Sequence, residues 1–242
     1  MEMKEKKVLV FGSGISGEAA AGLLLREGAH VVLYDGNENL DSQEIEKKIR
    51  ESLNGAEPGN NAEAGQSTEA GSDLNVVLGE FPEELLGELS LTVMSPGVPT
   101  DLPIVDRMKA AGIPVWGEIE LAYALGKGDV LAITGTNGKT TTTALLGQIM
   151  GNWKESAFVV GNIGNPYTSI VPETKEDSVI VAEMSSFQLE TVHTFRPRVS
   201  AILNITPDHL NRHHTMEAYI AAKERIAENQ TADDVCVLNY ED

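Results

Sequence analysis

Val130-Leu131-Ala132-Ile133-Thr134-Gly135-Thr136-Asn137-Gly138-Lys139-Thr140-Thr141-Thr142-Thr143 passes from an apolar run, through a glycine loop, into a lysine and four threonines that open a helical stretch. Strand, tight loop and helix follow in that order. The first turn of a helix carries amide N–H groups with no partner inside the helix, and the aligned peptide dipoles add partial positive charge there. A phosphate fits that end. Gly135 and Gly138 let the backbone approach an anion across Thr136 and Asn137, Lys139 adds a full charge, and the Thr140 or Thr141 hydroxyl can ligate Mg2+. The spacing is G-x-x-G-K-T. Ile133 stands where the general phosphate loop G-x-x-x-x-G-K-[ST] requires glycine, so a specific subclass of triphosphate cradle is implied.

Outward from this loop, short apolar runs alternate with helical patterns, which predicts parallel sheets flanked by helices. Strands are expected at 7–11, 30–34, 75–78, 91–94 and 113–116, with helices at 14–27 and 102–111. A Rossmann-like domain over residues 1–117 results. A second α/β unit, a P-loop ATPase domain over 118–242, is expected from helices at 118–125, 139–150 and 215–228 and strands at 130–134, 157–160, 178–182, 200–205 and 235–238. Only four residues follow the last strand, so this domain is expected to be incomplete. Residues 54–73 break the rhythm, with four acids, no base and no aliphatic side chain larger than alanine. That composition cannot bury enough surface to offset ordering, and a disordered surface loop is expected.

The formal charge of −19, from 37 acids against 18 bases, argues against nucleic-acid or anionic-membrane partners. Polyanions must then be held by local devices. The single cysteine, Cys236, excludes a disulfide framework and a thiolate metal site, and its apolar neighbours predict a buried position. With no secretory signal and no membrane-length apolar run, a cytoplasmic monomer is expected.

Gly12-Ser13-Gly14-Ile15-Ser16-Gly17 follows the first strand and opens the first helix, and Asp35 ends the second strand eighteen residues after Gly17. This is the dinucleotide fingerprint in its required setting, the acid placed to accept hydrogen bonds from ribose or base. Glu183 closes the apolar run 178–182. A carboxylate there either reaches a phosphate-bridging Mg2+ or caps a helix. Asp208 and His209 follow the next strand and could hold a second cation or serve structure alone. Lys223 falls inside the stripe Met216, Tyr219, Ile220, Ile226 and Ala227, where a lysine must snorkel, pair or be modified. His30, His193, His213 and His214 read as surface or packing residues.

Together these pieces resemble the ATP-dependent Mur ligases of peptidoglycan synthesis. The segments that carry the resemblance are GSGISG at 12–17, SPG at 95–97, GTNGKTTT at 135–142, GNIG at 161–164, EMSSFQLE at 183–190, NITPDHLNRH at 204–213 and AAKERI at 221–226. SSFQLE is the most discriminating, and it points to the branch that joins D-glutamate to UDP-N-acetylmuramoyl-L-alanine. The resemblance implies that Ile15, Ser16, Asp35, Ser95 and Gly97 lie by the uridine diphosphate, and that Asn162, Ser185 and Gln188 meet the muramoyl substrate. It implies Gly135 through Thr141 around ATP, with Lys139, His209 and Lys223 catalytic. Thr140, Glu183 and His209 serve Mg2+ on this reading, as does Lys223 if it is carbamylated.

The implied reaction is amide formation through an acyl phosphate. Relatives in this family carry a further C-terminal domain, and a chain without it is expected to be inactive alone. Three other readings stand beside this one: a related ligase such as a folylpolyglutamate synthetase, a non-catalytic nucleotide-binding fragment, and an NAD oxidoreductase. The second phosphate loop counts against the oxidoreductase.

Overall fold

The apolar run Lys7–Phe11 forms β1 and leads through Gly12–Gly14 into α1 (Ile15–Arg26), β2 (His30–Asp35) and α2 (Ser42–Asn54). A computed structural model describes residues 2–54 and 73–240. β3 (Leu74–Leu78), β4 (Leu91–Met94), α3 (Pro103–Ala110) and β5 (Val115–Gly117) follow. Strand order in the sheet is β3-β2-β1-β4-β5. β1 pairs in parallel with both β2 and β4, so the order reverses between β1 and β4. In such sheets ligands gather outside the carboxyl ends of the strands at the reversal. The loops 12–14 and 95–97 lie there.

The second set of elements is α4 (Glu118–Leu125), β6 (Asp129–Thr134), α5 (Lys139–Trp153), β7 (Ala157–Gly161) and α6 (Tyr167–Ile170). It continues with β8 (Val179–Glu183), α7 (Ser186–Leu189), β9 (Val199–Ile202), α8 (Leu210–His213), α9 (Met216–Glu224) and β10 (Val235–Leu238). The order β10-β9-β6-β8-β7 is parallel throughout. β6 stands at the reversal, and the loop 135–138 leaves its carboxyl end. The chain divides into two compact units, Met1–Val115 and Trp116–Asp242. Among the described residues, no helix is long and apolar enough to cross a membrane.

Four features differ from the sequence reading. Helix α2 was not expected, because only Ile45 and Ile49 mark its buried face among charged residues. Its supports are ionic and local: the Asp41 carboxylate accepts from the Gln43 and Glu44 amides, and Glu44–Lys48, Glu46–Arg50 and Lys47–Glu51 pair at i,i+4. The helix expected over 215–228 ends at Glu224 and tightens into a 3-10 turn, Arg225–Ala227. The strand expected over 200–205 stops at Ile202, and the loop beyond it turns to brace the phosphate loop. Cys236 is exposed rather than buried, because β10 pairs with β9 at the sheet margin and all four of its residues face solvent. The expected loop at 54–73 lies, over 55–72, outside the described residues. Its flanks are structured: Asn54 ends α2, and the Asp73 carboxylate meets His30 Nδ1 at 2.8 Å.

Candidate nucleotide and substrate site

In the first unit, the loop after β1 is shaped by close packing. Gly12 has φ of 100°, its carbonyl accepts from Ser95 Oγ at 3.1 Å, and a Cβ on Gly17 would stand 1.9 Å from that same carbonyl oxygen. Only glycine fits at 17. Asp35 Oδ2 accepts from Ser13 N at 2.9 Å and Ser13 Oγ at 2.7 Å, while Oδ1 accepts from Asn37 N at 3.0 Å. Burial opposes the Asp35 charge, yet these donors prevail and hold its pKa below the ordinary value. The expected ribose or base acceptor thus also braces the glycine loop. Ile15 is 76% exposed and Gly97 is open to solvent, whereas Ser16 is half-buried and Ser95 is buried. The α1 N-terminus has no side-chain cap, so its amides face outward.

In the second unit, Gly135 and Gly138 have φ of 151° and 83°, and Gly138 caps α5 without a side-chain hydrogen bond. Asn204 holds this loop from the neighbouring strand's extension. Its carbonyl accepts from Thr136 N at 2.8 Å, its Oδ1 accepts from Asn137 N at 2.9 Å, and its Nδ2 donates to Asn137 O at 3.0 Å. Thr136 Oγ1 meets Thr206 O and Tyr219 Oη, each at 3.1 Å. Thr140 and Thr141 stand exposed on the first turn of α5. That turn is a free helix N-terminus on a rigid frame.

Two ammonium groups share one carbonyl. Lys139 Nζ donates to Gly135 O at 2.9 Å and to Thr136 O at 3.0 Å, and Lys223 Nζ donates to Gly135 O at 2.8 Å. Lys223 is 1% exposed, and its ammonium also lies 4.7 Å from the centre of the Tyr219 ring. Burial first, and the Lys139 charge second, lower its pKa to about 8, with Asp208 pulling the other way. Of the three fates open to a lysine in an apolar stripe, snorkelling is ruled out. The cationic pair beside outward-facing amides makes this edge attractive to a polyanion.

Glu183 ends β8 opposite Ile133 and is fully buried. Its Oε1 accepts from Asn162 Nδ2 at 2.8 Å, while Oε2 has no partner among the described residues. A buried carboxylate oxygen without a donor fits a hard cation. Asp208 and His209 stand together in the loop beyond β9, with His209 Nε2 3.5 Å from Asp208 Oδ2. His209 adopts φ of 52° at the start of α8. Among the described residues, no three His, Cys, Asp or Glu side chains converge as a metal cage, so any cation here would need oxygens from its ligand as well. Ser185 and Gln188 form a reciprocal capping box on α7, Gln188 Oε1 accepting from Ser185 N at 2.9 Å and Oγ at 3.0 Å. That leaves the Gln188 amide N–H2 as the group free of the box.

The structure therefore joins Lys139 with Lys223, Glu183 with Asn162, and Ser185 with Gln188. Sequence reading missed Asn204, Tyr219, Phe187 and His213. Tyr219 is a member of the apolar stripe on α9, yet its hydroxyl reaches the phosphate loop. The Phe187 ring packs against both His209, at 5.0 Å, and His213, at 5.4 Å.

The description "Mur ligase MurD-like, N-terminal domain" matches residues 6–117, and "Mur ligase middle domain" matches residues 133–242. Over 242 residues the chain is 59% identical to the UDP-N-acetylmuramoylalanine--D-glutamate ligase of Lachnospira eligens and 56% identical to that of Lachnoclostridium phytofermentans. In both cases all of this chain aligns with 49% of the relative, so the chain spans about half the length of the curated relatives it matches. Among solved structures, it is similar to the UDP-N-acetylmuramate:L-alanyl-gamma-D-glutamyl-meso-diaminopimelate ligase of Neisseria meningitides. The TM-score is 0.58 and the identity 16%, covering 98% of this chain and 72% of that one. A murein peptide ligase of Psychrobacter arcticus gives a TM-score of 0.54 at 16% identity, covering 96% and 48%. At that identity the likeness concerns the fold.

Proposed function

Because this chain belongs to the Mur ligase family, carrying its N-terminal and middle domains, we propose that it forms the UDP-substrate-binding and ATP-binding parts of a cytoplasmic enzyme that joins D-glutamate to UDP-N-acetylmuramoyl-L-alanine. On this reading residues 1–117 hold the uridine diphosphate through Ile15, Ser16, Asp35, Ser95 and Gly97, and residues 118–242 hold ATP. The observation that carries it is the convergence of Lys139 and Lys223 on the Gly135 carbonyl beside a free helix N-terminus.

The chemistry follows from charge. A substrate carboxylate must attack the terminal phosphorus of ATP, anion against anion, to give an acyl phosphate and ADP. The D-glutamate amine then adds to the acyl carbon, phosphate leaves with the bonding pair, and the amine proton is released to solvent or a base. Lys139 and the α5 amides lower the repulsion of the first step, and the glycine loop fixes the phosphates in line. Thr140, Glu183 and His209 are the residues that would hold Mg2+, with the unpartnered Glu183 Oε2 the foremost ligand. Bound there, the metal would neutralise charge spread over the transferring phosphoryl oxygens. Asn162, Ser185 and Gln188 orient the muramoyl-alanine end.

Lys223 is proposed as a carbamate. Its lowered pKa supplies the neutral amine that attacks carbon dioxide, forming an N–C bond and losing one proton. The product is an anion near Lys139 in place of a second ammonium. Carbon-13 NMR with labelled bicarbonate should show a carbamate resonance that vanishes in Lys223→Ala. Its absence from the unsubstituted protein defeats this assignment.

Thermal-shift measurements test the whole reading. ATP with Mg2+ and UDP-N-acetylmuramoyl-L-alanine should each raise Tm, while NAD and folate should not. Stabilisation by NAD without stabilisation by the UDP-substrate would overturn it.

A further inference from the structure

Three side chains of the second unit stand in the order of a nucleophilic triad. His213 Nε2 lies 2.8 Å from Ser186 Oγ, and His213 Nδ1 lies 3.5 Å from Glu190 Oε1. Ser186 is 2% exposed and His213 7%, so no substrate carbonyl can reach the hydroxyl. The arrangement fastens rather than attacks. Ser186 opens α7 and Glu190 closes it, whereas His213 ends α8 and donates its amide N–H to His209 O at 3.0 Å.

A helix of four residues cannot sustain itself, since its one or two internal bonds do not offset the ordering of its backbone. Its geometry must be imposed from outside. Arg212 Nη2 donates to Glu190 Oε2 at 2.8 Å, and its guanidinium lies 4.3 Å from the Phe187 ring centre. Arg225 donates to the carbonyls of Glu190 and Val192. Those contacts hold the end of α7. The Ser186–His213 bond is the side-chain tie at its beginning, next to Ser185.

We infer that His213 is a positioning residue: by bridging Ser186 and Glu190 it fixes α7, with Ser185 and Gln188, against the turn that carries His209. The role rests on the proposed reading of Ser185 and Gln188 as substrate contacts. It links them to the residue proposed beside the metal through two hydrogen bonds and one turn of helix. Phe187 packs against the rings of both His209 and His213, so packing and hydrogen bonding act on the same short element.

The experiment compares His213→Phe, which keeps the ring volume but loses the Ser186 bond and the Glu190 contact, with His213→Gln, which places an amide where Nε2 stands, and with Ser186→Ala as a near-isosteric break of the Ser186 bond. Hydrogen exchange is followed at amides 185–190 and, as internal control, in β8. Affinities for UDP-N-acetylmuramoyl-L-alanine and ATP–Mg2+ are read by NMR titration. His213→Phe and Ser186→Ala should each speed exchange at 185–190 about tenfold, leave β8 unchanged, and weaken the UDP-substrate about tenfold with ATP–Mg2+ affinity retained. His213→Gln should restore most of both. Unchanged exchange at 185–190, or loss spread equally over β8 and both ligands, would show plain core packing and overturn the inference. A wild-type chain that binds neither ligand would instead refute the proposed function, while the exchange pattern still decides the role of His213.

Discussion

The loops 12–17 and 135–139 are built alike and armed differently. Each leaves the strand at a sheet reversal, turns on glycine and opens an uncapped helix. The second carries Lys139 and has Lys223 pressed against it from α9. The first carries no base, and its nearest ionised partner is Asp35, bonded to Ser13. A cationic cradle suits a triphosphate whose outer charge grows in transfer. A neutral cradle beside an acid suits a diphosphate attached to hydroxyl and N–H donors. The same backbone device is thus specialised by whether a lysine or an aspartate stands next to it.

Substitution can break that parallel at its glycines. Gly17→Ala should have the largest effect, because the new carbon meets backbone at 1.9 Å and nothing flexible can yield. Destabilisation of the first unit by about 3 kcal/mol is expected in denaturant unfolding. Lys139→Ala should leave stability unchanged and weaken ATP–Mg2+ by about thirtyfold, the worth of a charge-assisted contact, with UDP affinity intact by calorimetry. Gly138→Ala is milder, since the nearest atom to its Cβ would be Leu203 Cδ1 at 3.6 Å and only the left-handed φ of 83° is penalised. A cost of about 1–2 kcal/mol is expected. Glycine serves close approach at position 17 and handedness at position 138.

How much of this was legible follows from the range of the interactions. Both glycine loops and their strands were readable because the signal is local, an apolar run broken at fixed spacing. Lys223 announced itself by standing in an apolar stripe, and its contact with Gly135, 88 residues away, supplied the reason. Helix α2 was missed because its stability comes from ion pairs around only two buried isoleucines. His213 was missed for a different cause. Its partners Ser186 and Glu190 lie in another segment, and four-residue helices such as α7 and α8 leave no periodicity to read.

The two loops should also answer pH in separate windows, with stability rising with pH in each. As the unmodified amine, before carbon dioxide adds, Lys223 has a folded pKa of about 8 against an ordinary 10.5. Between those values the unfolded chain binds more protons than the folded one, so stability rises with pH across that window. Below about pH 8 the cost of the buried ammonium is fully present, and relaxation and water reduce it to about 1 kcal/mol. Asp35 acts in the acid range with the same sign of slope: its folded pKa is also lowered, so its contribution is present above the ordinary carboxylate range and lost as pH falls through the folded value. That loss should be the smaller, because Asp35 is only half-buried and solvent screens it. Trp153 ends α5 in the second unit, whereas Trp116 stands in β5 of the first sheet, so fluorescence in a Trp116→Phe background follows the second unit alone. Fluorescence-detected unfolding should gain stability from pH 8 to 10 and lose that slope in Lys223→Met. Amide protection factors in β1 and β2, taken relative to the intrinsic exchange rate at each pH, should fall on acidification, and Asp35→Asn should flatten that response without touching the alkaline one. If one substitution altered both limbs, the two cradles would share a single electrostatic environment, and the division of labour between lysine and aspartate would fall.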